Sequence, residues 1–496
     1  MELGITEKYI EMCLSGGAGY TEGELHLAVQ HINHLRQRDD SWDVGLQLFY
    51  VTSNESARFF SLSLIRDYLN GIVPLVGINQ IVHGNLIKIR SNMLHYIGSS
   101  VANSTNIPAY LLNNIVSIIA LCVKLEYPIF WNTAFFDILS IGKINMIGLD
   151  LSIKIFNEIT VEIIEANETR SKEDIKNNTL IKDYMRSSSI LNDMVQFLCQ
   201  SSISIRSSTS LEQANILSNS CLRCLAGFIS WIDINLIVNN TILPIIYNSF
   251  NDNITRGSAC ACLYEIVKKG MDPHIKVKLI VSIGLIQVLA SAPILYTISS
   301  NSNDDDDNDF DYEYDLGQLV DIIGEELLGC FINYESIASF LNTPLSIDTS
   351  ENQVHIPTTA PPIQEIGPIC ASALISITPI ILKLFANPSS DVSGSVMNSM
   401  TKFTQLLKCQ VSKYQNMTNI HCAFLASNYL PDIMANIYRQ IQYPEDFNFD
   451  ILDDNDDSGV IEVSNILNIQ DIMMHTVRLG YSCMLSSLLC SADIPY

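Results

Sequence analysis

The chain has 496 residues, 48% of them hydrophobic, enough to bury a large core either as several ordinary domains or as one extended repeat array. Aspartate and glutamate outnumber lysine and arginine by 53 to 28, and the formal charge of −25 excludes a uniformly basic nucleic-acid binder, so a polyanion has to be met by bases gathered locally. Thirteen cysteines scatter without a disulfide framework and no basic, apolar signal opens the chain, which predicts a reducing, intracellular setting.

The first feature in chain order is a group of glycines, Gly16, Gly17, Gly19 and Gly23. No strand pattern precedes them and no Lys-Ser/Thr pair follows, so they read as a flexible linker rather than a phosphate loop. From there onward apolar residues recur three and four apart while strand alternation is scarce, which predicts an all-α fold. The segment Arg170 to Arg186 gathers Arg170, Lys172, Lys176, Lys182 and Arg186 against Glu173, Asp174 and Asp183. Next, Leu217, Cys221, Leu225, Phe228 and Ile232 fall on one helical face, and Ala259, Leu263, Ile266 and Val267 form a comparable one. The two helices end at similar places, Trp231-Ile232-Asp233 and Gly270-Met271-Asp272, which lie 39 residues apart. That period suits HEAT-type helix pairs, which cannot bury their apolar faces singly and stack into an α-solenoid, a superhelix of antiparallel helix pairs with a long concave wall.

Cys221 and Cys224 have a CxxC spacing with Cys260 and Cys262 one repeat on, but Cys221 and Cys224 share the apolar stripe with Leu217 and Leu225 and no histidine is close in sequence. Core packing is expected for them rather than zinc. A second basic cluster follows at Lys268, Lys269, Lys276 and Lys278 against Asp272. The run from Leu279 to Asn303 carries no charge and is long enough to span a bilayer, yet Gln287, Pro293 and several serines interrupt it, and Ile280, Leu285, Val288, Leu289 and Ala292 lie near helical spacing. It is expected to be a buried helix. Solvated acidic loops are expected at 299–315, with eight acids from Asn303 to Asp315, and at Pro444 to Glu462, with eight acids and no base. Between them Pro344, Pro357, Pro361 and Pro362 break any continuous helix over 342–368. Nine histidines and many carboxylates form no Ser/His/Asp order and no HExxH motif, so no catalytic residue, metal site or cofactor is assigned and the chain reads as a non-enzyme. The two basic clusters are either ordinary solvated faces or phosphate-contacting patches, and a folded RNA recognised by shape would suit a concave helical wall.

Three stretches, Asn178 to Arg186 (NTLIKDYMR), Gly227 to Asn240 (GFISWIDINLIVNN) and Ala261 to Pro273 (ACLYEIVKKGMDP), resemble the exportin-T family in wording, order and spacing. Asp40 to Val44, Arg58-Phe59-Phe60, Glu126-Tyr127-Pro128, Trp131 leading into Phe135 to Leu139, and Tyr443 to Phe449 support the resemblance, which runs from about residue 25 to 460. It implies an importin-β (karyopherin) superfamily solenoid of HEAT repeats. Such a receptor carries mature tRNA out of the nucleus with Ran-GTP and releases it in the cytoplasm when GTP is hydrolysed. The implied partners are Ran-GTP, tRNA and nucleoporin phenylalanine-glycine repeats, with no membrane insertion, a monomeric state and shuttling between nucleus and cytoplasm through the nuclear pore.

The implied organisation places Ran-binding repeats at 1–140, exportin-type HEAT repeats at 141–298, the acidic loop at 299–315 and further repeats with proline-rich and acidic insertions at 316–496. The Ran-binding region carries over to Trp42, Arg58, Phe59 and Phe60, although core packing is the favoured role for at least two of the three aromatics. Lys172, Lys176, Lys182, Arg186, Lys268, Lys269, Lys276 and Lys278 are the candidates for tRNA backbone contact. Family members are about twice this long, so the chain is expected to be a fragment or a truncated reading that stops inside its array. The readings kept open beside this one are a karyopherin for protein cargo and a HEAT-repeat scaffold for protein partners.

Overall fold

Short polar side chains fix where the helices begin. Thr21 and Glu24 close a reciprocal capping box at the start of one helix, and the side chains of Asn54, Asn79, Asn145, Ser171 and Asp272 each accept a hydrogen bond from a first-turn amide of theirs. A computed structural model describes residues 2–14, 19–165, 170–205, 211–291, 307–332, 363–387 and 389–404, with 433, 435 and 436 besides. Every regular element among them is helical. The chain divides into two compact units, Met1–Asp233 and Ile234–Tyr496, at the helix end that the sequence marks with Trp231-Ile232-Asp233.

The first unit contains α1 (Glu2–Leu14), α2 (Glu22–Arg36), α3 (Ser41–Val51), α4 (Glu55–Asn70), α5 (Gln80–Ala102), α6 (Ala109–Glu126), α7 (Ala134–Gly142), α8 (Met146–Ile159), α9 (Lys172–Ser187), α10 (Ile190–Ser204) and α11 (Leu211–Ile229). A single turn of π-helix, Thr160–Ile164, extends α8. Neighbours in sequence pair off, α1 with α2, α3 with α4, α5 with α6, α7 with α8 and α10 with α11, as short connections between antiparallel helices require. Pairs also stack on pairs, α4 on α6 and α6 on α8, so α6 is enclosed and Ile115, Ile118, Ile119, Cys122 and Val123 are wholly buried. This is the all-α, HEAT-repeat solenoid class expected from the spacing of the apolar residues. Backbones approach closely where a side chain is missing: a Cβ on Gly148 would lie 2.2 Å from the carbonyl oxygen of Ile141, so the α7–α8 contact depends on a glycine there.

The second unit contains α12 (Ile242–Phe250), α13 (Arg256–Lys268), α14 (Pro273–Ser282), α15 (Leu285–Ala290), α16 (Asp307–Ile332), α17 (Ile363–Phe385) and α18 (Ser390–Ser395). α16 is its axis, packing against α13, α14, α17 and α18. Two expectations change in this unit. The charge-free run beginning at Leu279 is not one helix: Gly284, at φ +73, ends α14 and starts α15, a left-handed turn that hydropathy does not announce. Its apolar residues are buried as expected, Leu279, Ile280, Leu285 and Leu289 among them, as far as the described residues reach. The acidic segment expected to be a loop is helical from Asp307 onward. Acids suit the first turns of a helix, and Tyr312 is buried there under the Arg256 guanidinium, 4.2 Å from its ring centroid.

The proline-rich break at 342–368 up to residue 362, the second acidic segment at 444–462, the start of the first at 299–306, and Gly16 and Gly17 lie outside the described residues. Among the described residues one helix, Ala109–Glu126, is long and apolar enough to cross a membrane, and 72% of it is buried within the fold. The cysteines proposed as core are core: Cys221, Cys224, Cys260 and Cys262 are all buried, and burial pushes the Cys221 thiol up to about 12.

Candidate nucleic-acid interface

α9 brings most of the first basic cluster onto one helix. Its polar sequence becomes a helix because both ends are matched to it: the Ser171 hydroxyl accepts from the Asp174 amide at 3.1 Å, Glu173 and Asp174 occupy the first turn, and Arg186 sits in the last. Its inner face carries Asn177, Asn178, Ile181 and Met185, all buried. The Asn177 amide donates to the Lys124 carbonyl at 2.6 Å and the Asn178 amide to that of Glu162 at 3.4 Å, which fixes α9 against α6 and the π-turn.

Of the acids of this region Glu162 and Asp174 are turned toward Lys124, whereas Glu173 and Asp183 are exposed on α9, Asp183 within the arc of the bases and paired with Arg186. The Lys124 ammonium lies 3.3 Å from both Glu162 and Asp174. Burial alone would raise the Asp174 carboxyl, but its bonds with Ser171 and Lys124 outweigh that and hold it below the usual carboxylate range. On the outer side Lys172 and Lys176 are exposed and form no ion pair among the described residues. With Lys182 and Arg186 they span an arc of about 120° at 3.6 residues per turn, roughly opposite the buried face. Lys182 is half-buried between cations, and its ammonium is held below the usual lysine range by that burial and by Arg186 and Arg170 nearby. Arg186 is aimed by three contacts: Asp183 at 3.1 Å, the Trp231 carbonyl at 3.3 Å, and the Trp231 ring at 5.4 Å. Arg170 donates to the carbonyls of Val161, at 2.6 Å, and Glu165, tying the π-turn to the entry of α9. Three cations are thus kept close together by contacts that leave them charged.

The second cluster is reduced by the structure. Lys276 is buried and its Nζ lies 2.6 Å from Glu326 Oε1, so its charge is neutralised between α14 and α16, and it is withdrawn from the phosphate-contact set. Lys268 is exposed, 3.6 Å from Glu265 and 5.2 Å from the Tyr264 ring centroid. Lys278 is exposed on α14, and Lys269 is half-buried just beyond α13.

In the N-terminal helices Trp42 and Phe60 are core, as favoured for two of the three aromatics. Trp42 packs on Tyr68 with ring centroids 5.8 Å apart and lies under Lys88, while Arg36 covers Phe60 at 5.2 Å. Phe59 is 42% exposed. Arg58 is half-buried and donates to the Phe49 carbonyl at 3.3 Å. Of the four, the outward surface therefore consists of Phe59 and the free part of Arg58. Among the described residues no group of three or more His, Cys, Asp or Glu is placed to hold a metal ion.

Sequence reasoning missed Lys124, whose bridge to Glu162 and Asp174 reaches 38 and 50 residues along the chain. It also missed Arg170's carbonyl contacts and the ring of Trp231 as a platform for Arg186; the nearest signal was the presence of Asn178 to Arg186 and Trp231 in two of the resembling stretches.

Comparison with known proteins adds to this geometry. Residues 108–263, which include α9, match the family model described as Exportin 1-like protein. Exportin-T of Danio rerio is 24% identical over 431 residues, covering 85% of this chain, and exportin-T of Homo sapiens is 24% identical over 427 residues with the same coverage. The chain resembles the N-terminal part of exportin-T. Exportin-T of Saccharomyces cerevisiae (strain ATCC 204508 / S288c) is 25% identical over 421 residues, covering 80% of the chain. The chain spans about two fifths of the length of these relatives, 39% for the two vertebrate proteins and 36% for the yeast one. Among solved structures, one described as "Kap95p Binding Induces the Switch Loops of RanGDP to adopt the GTP-bound Conformation" aligns over 98% of this chain and 52% of that chain, at 10% identity and a TM-score of 0.39, too loose a likeness to argue from.

Proposed function

We propose that this chain is part of a nuclear export receptor that binds mature tRNA together with Ran-GTP and gives it up in the cytoplasm, working by binding alone. The observation that carries the reading is the outer face of α9, where Lys172, Lys176 and Arg186 are exposed and Lys182 is half-buried beside them, while the neighbouring acids Glu162 and Asp174 are paired with Lys124. In a chain of net charge −25 that arrangement gathers a local excess of positive charge on one helix. The resemblance to exportin-T along most of the chain supports RNA as the polyanion. Lys268, Lys269 and Lys278 are the remaining candidates of the second cluster, and Phe59 with Arg58 is the remaining outward part of the region proposed for Ran. Weak docking to phenylalanine-glycine repeats and passage through the nuclear pore belong to the same proposal.

Phosphate contacts position a folded RNA without reading its sequence, so shape supplies the selectivity. Ran-GTP and tRNA each favour one state of the receptor, and each raises the affinity of the other by the same factor. The test is a gel shift of mature tRNA with this chain, with and without GTP-locked Ran, over a salt series. Replacing Lys172, Lys176, Lys182 and Arg186 with alanine is expected to flatten the salt slope by about 0.7–0.9 for each phosphate that is no longer neutralised. Ran binding with no tRNA affinity would point to protein cargo, and affinity for neither to a scaffold.

A further inference from the structure

Trp231 stands two residues past the end of α11, and its backbone is fixed there: the Trp231 and Ile232 amides both donate to the Phe228 carbonyl at 3.2 Å. Its indole is half-buried and packs on the Phe228 ring, centroids 6.1 Å apart, and Phe228 in turn meets Phe156 of α8 edge-on at 6.3 Å. The buried Nε1 has no hydrogen-bond partner among the described residues, so the ring is held by packing alone. Arg186, 45 residues earlier, uses both parts of this residue: its guanidinium donates to the Trp231 carbonyl at 3.3 Å and lies 5.4 Å from the ring centroid.

We propose that Trp231 is a positioning residue for the α9 strip, keeping the Arg186 guanidinium in place while it exchanges Asp183 for a phosphate; the proposal rests on the reading of α9 as an RNA-contacting face. Arg186 has two anchors of different kinds. Asp183, one turn back on α9, is a carboxylate at 3.1 Å, and with side chains 46% and 63% exposed the pair is screened by water and weak. A phosphate oxygen offers the same guanidinium a charge-assisted bond and can take the place of that carboxylate. Trp231 is not displaced in the exchange. Its ring face and neutral carbonyl attract the guanidinium without neutralising it, so the charge stays available to the incoming anion. Without the ring the long side chain regains its rotamers, and part of the binding free energy goes into ordering it again. Lys172 and Lys176, exposed and outside any ion pair among the described residues, have no such support, so the ring matters to the strip through Arg186 alone.

Trp231→Leu isolates the ring, because the indole N–H makes no bond that could be lost and the backbone carbonyl remains. The unmutated chain, Trp231→Leu, Arg186→Ala and the double variant are compared by gel shift with tRNA and by the salt that elutes each from immobilised heparin, with circular-dichroism melting to check folding. The expected result is a loss of about two- to fivefold in tRNA affinity for Trp231→Leu, no further loss when it is added to Arg186→Ala, and recovery in Trp231→Phe, whose ring restores the contact. A residue that serves only the packing at the end of α11 would cost as much without Arg186 as with it. Equal losses in the two backgrounds therefore overturn the proposal, as does unchanged affinity in Trp231→Leu. Heparin separates this from the choice of cargo. A chain that ignores tRNA, yet elutes at lower salt in Trp231→Leu only while Arg186 is present, refutes tRNA as the ligand and upholds the positioning role; tRNA binding that falls in Arg186→Ala but not in Trp231→Leu does the reverse. If the leucine variant does not fold, Arg186→Lys decides, since lysine keeps the charge without the planar contact. A loss of about two- to fivefold is then expected, and affinity equal to that of the unmutated chain overturns the proposal.

Discussion

Glu126 closes α6 with a side chain that has no exposure to solvent. Its Oε2 accepts from Arg90 at 3.1 Å, and Arg90 in turn lies 4.8 Å from the Trp131 ring centroid. Its Oε1 lies 3.6 Å from His83 Nδ1, and neither of those two atoms has a hydrogen-bond partner. Burial pushes the carboxyl up to about 7, against the opposing pull of Arg90. Because the folded value lies above the unfolded one, the folded state holds the extra proton. The stabilisation is complete below about pH 4.5 and is lost as pH rises through about 7. Glu126→Gln removes that titration. Between pH 8 and pH 5 the unmutated chain should therefore gain up to about 3 kcal/mol of stability relative to the variant. Urea unfolding of both chains at the two pH values measures this, and parallel changes would sink it. The sequence carried Glu126 only as part of Glu126-Tyr127-Pro128; that it is buried against a base 36 residues away is a tertiary fact with no local sign.

At the scale of the element, α9 depends on what lies beneath it. Lys124→Met should leave Glu162 and Asp174 partly buried without their cation, costing about 1–3 kcal/mol. It should also weaken the proposed tRNA binding, although Lys124 itself is not one of the strip's bases, because two uncompensated acids would then stand beside it. A Lys124/Asp174 double-mutant cycle in urea unfolding separates the pair from its surroundings, and additive losses would contradict the bridge. Helices of this kind were legible in the sequence where a buried stripe repeats: Leu217, Cys221, Leu225, Phe228 and Ile232 are all buried as their spacing predicts. Two boundaries were not. Gly284 breaks its run by adopting a left-handed backbone, a choice open to any glycine and forced by none of its neighbours in sequence. The acids from Asp307 to Asp315 look solvated one by one, yet Tyr312 among them is buried, and its partner Arg256 comes from another helix. Among the candidate site residues, Lys276 failed for the same kind of reason, since Glu326 is 50 residues distant.

For the whole molecule, two electrostatic ranges compete. Counterion release from phosphates strengthens binding steadily as salt falls. The net charge of −25, however, repels RNA over a Debye length that grows from about 10 Å at 0.1 M to about 30 Å at 0.01 M. The tRNA affinity proposed for the chain is therefore expected to stop rising, and then to fall, as salt drops toward about 0.01 M. A binding series measured by filter retention checks this, and a straight log–log plot down to the lowest salt would exclude it. The outer strip of α9 is a local gathering of positive charge in a chain whose sum is strongly negative. Such a molecule is held by an anion exchanger through its excess of acids and by immobilised heparin through that strip. Two columns of opposite sign would thus retain one protein, and loss of the α9 bases should abolish retention on heparin alone.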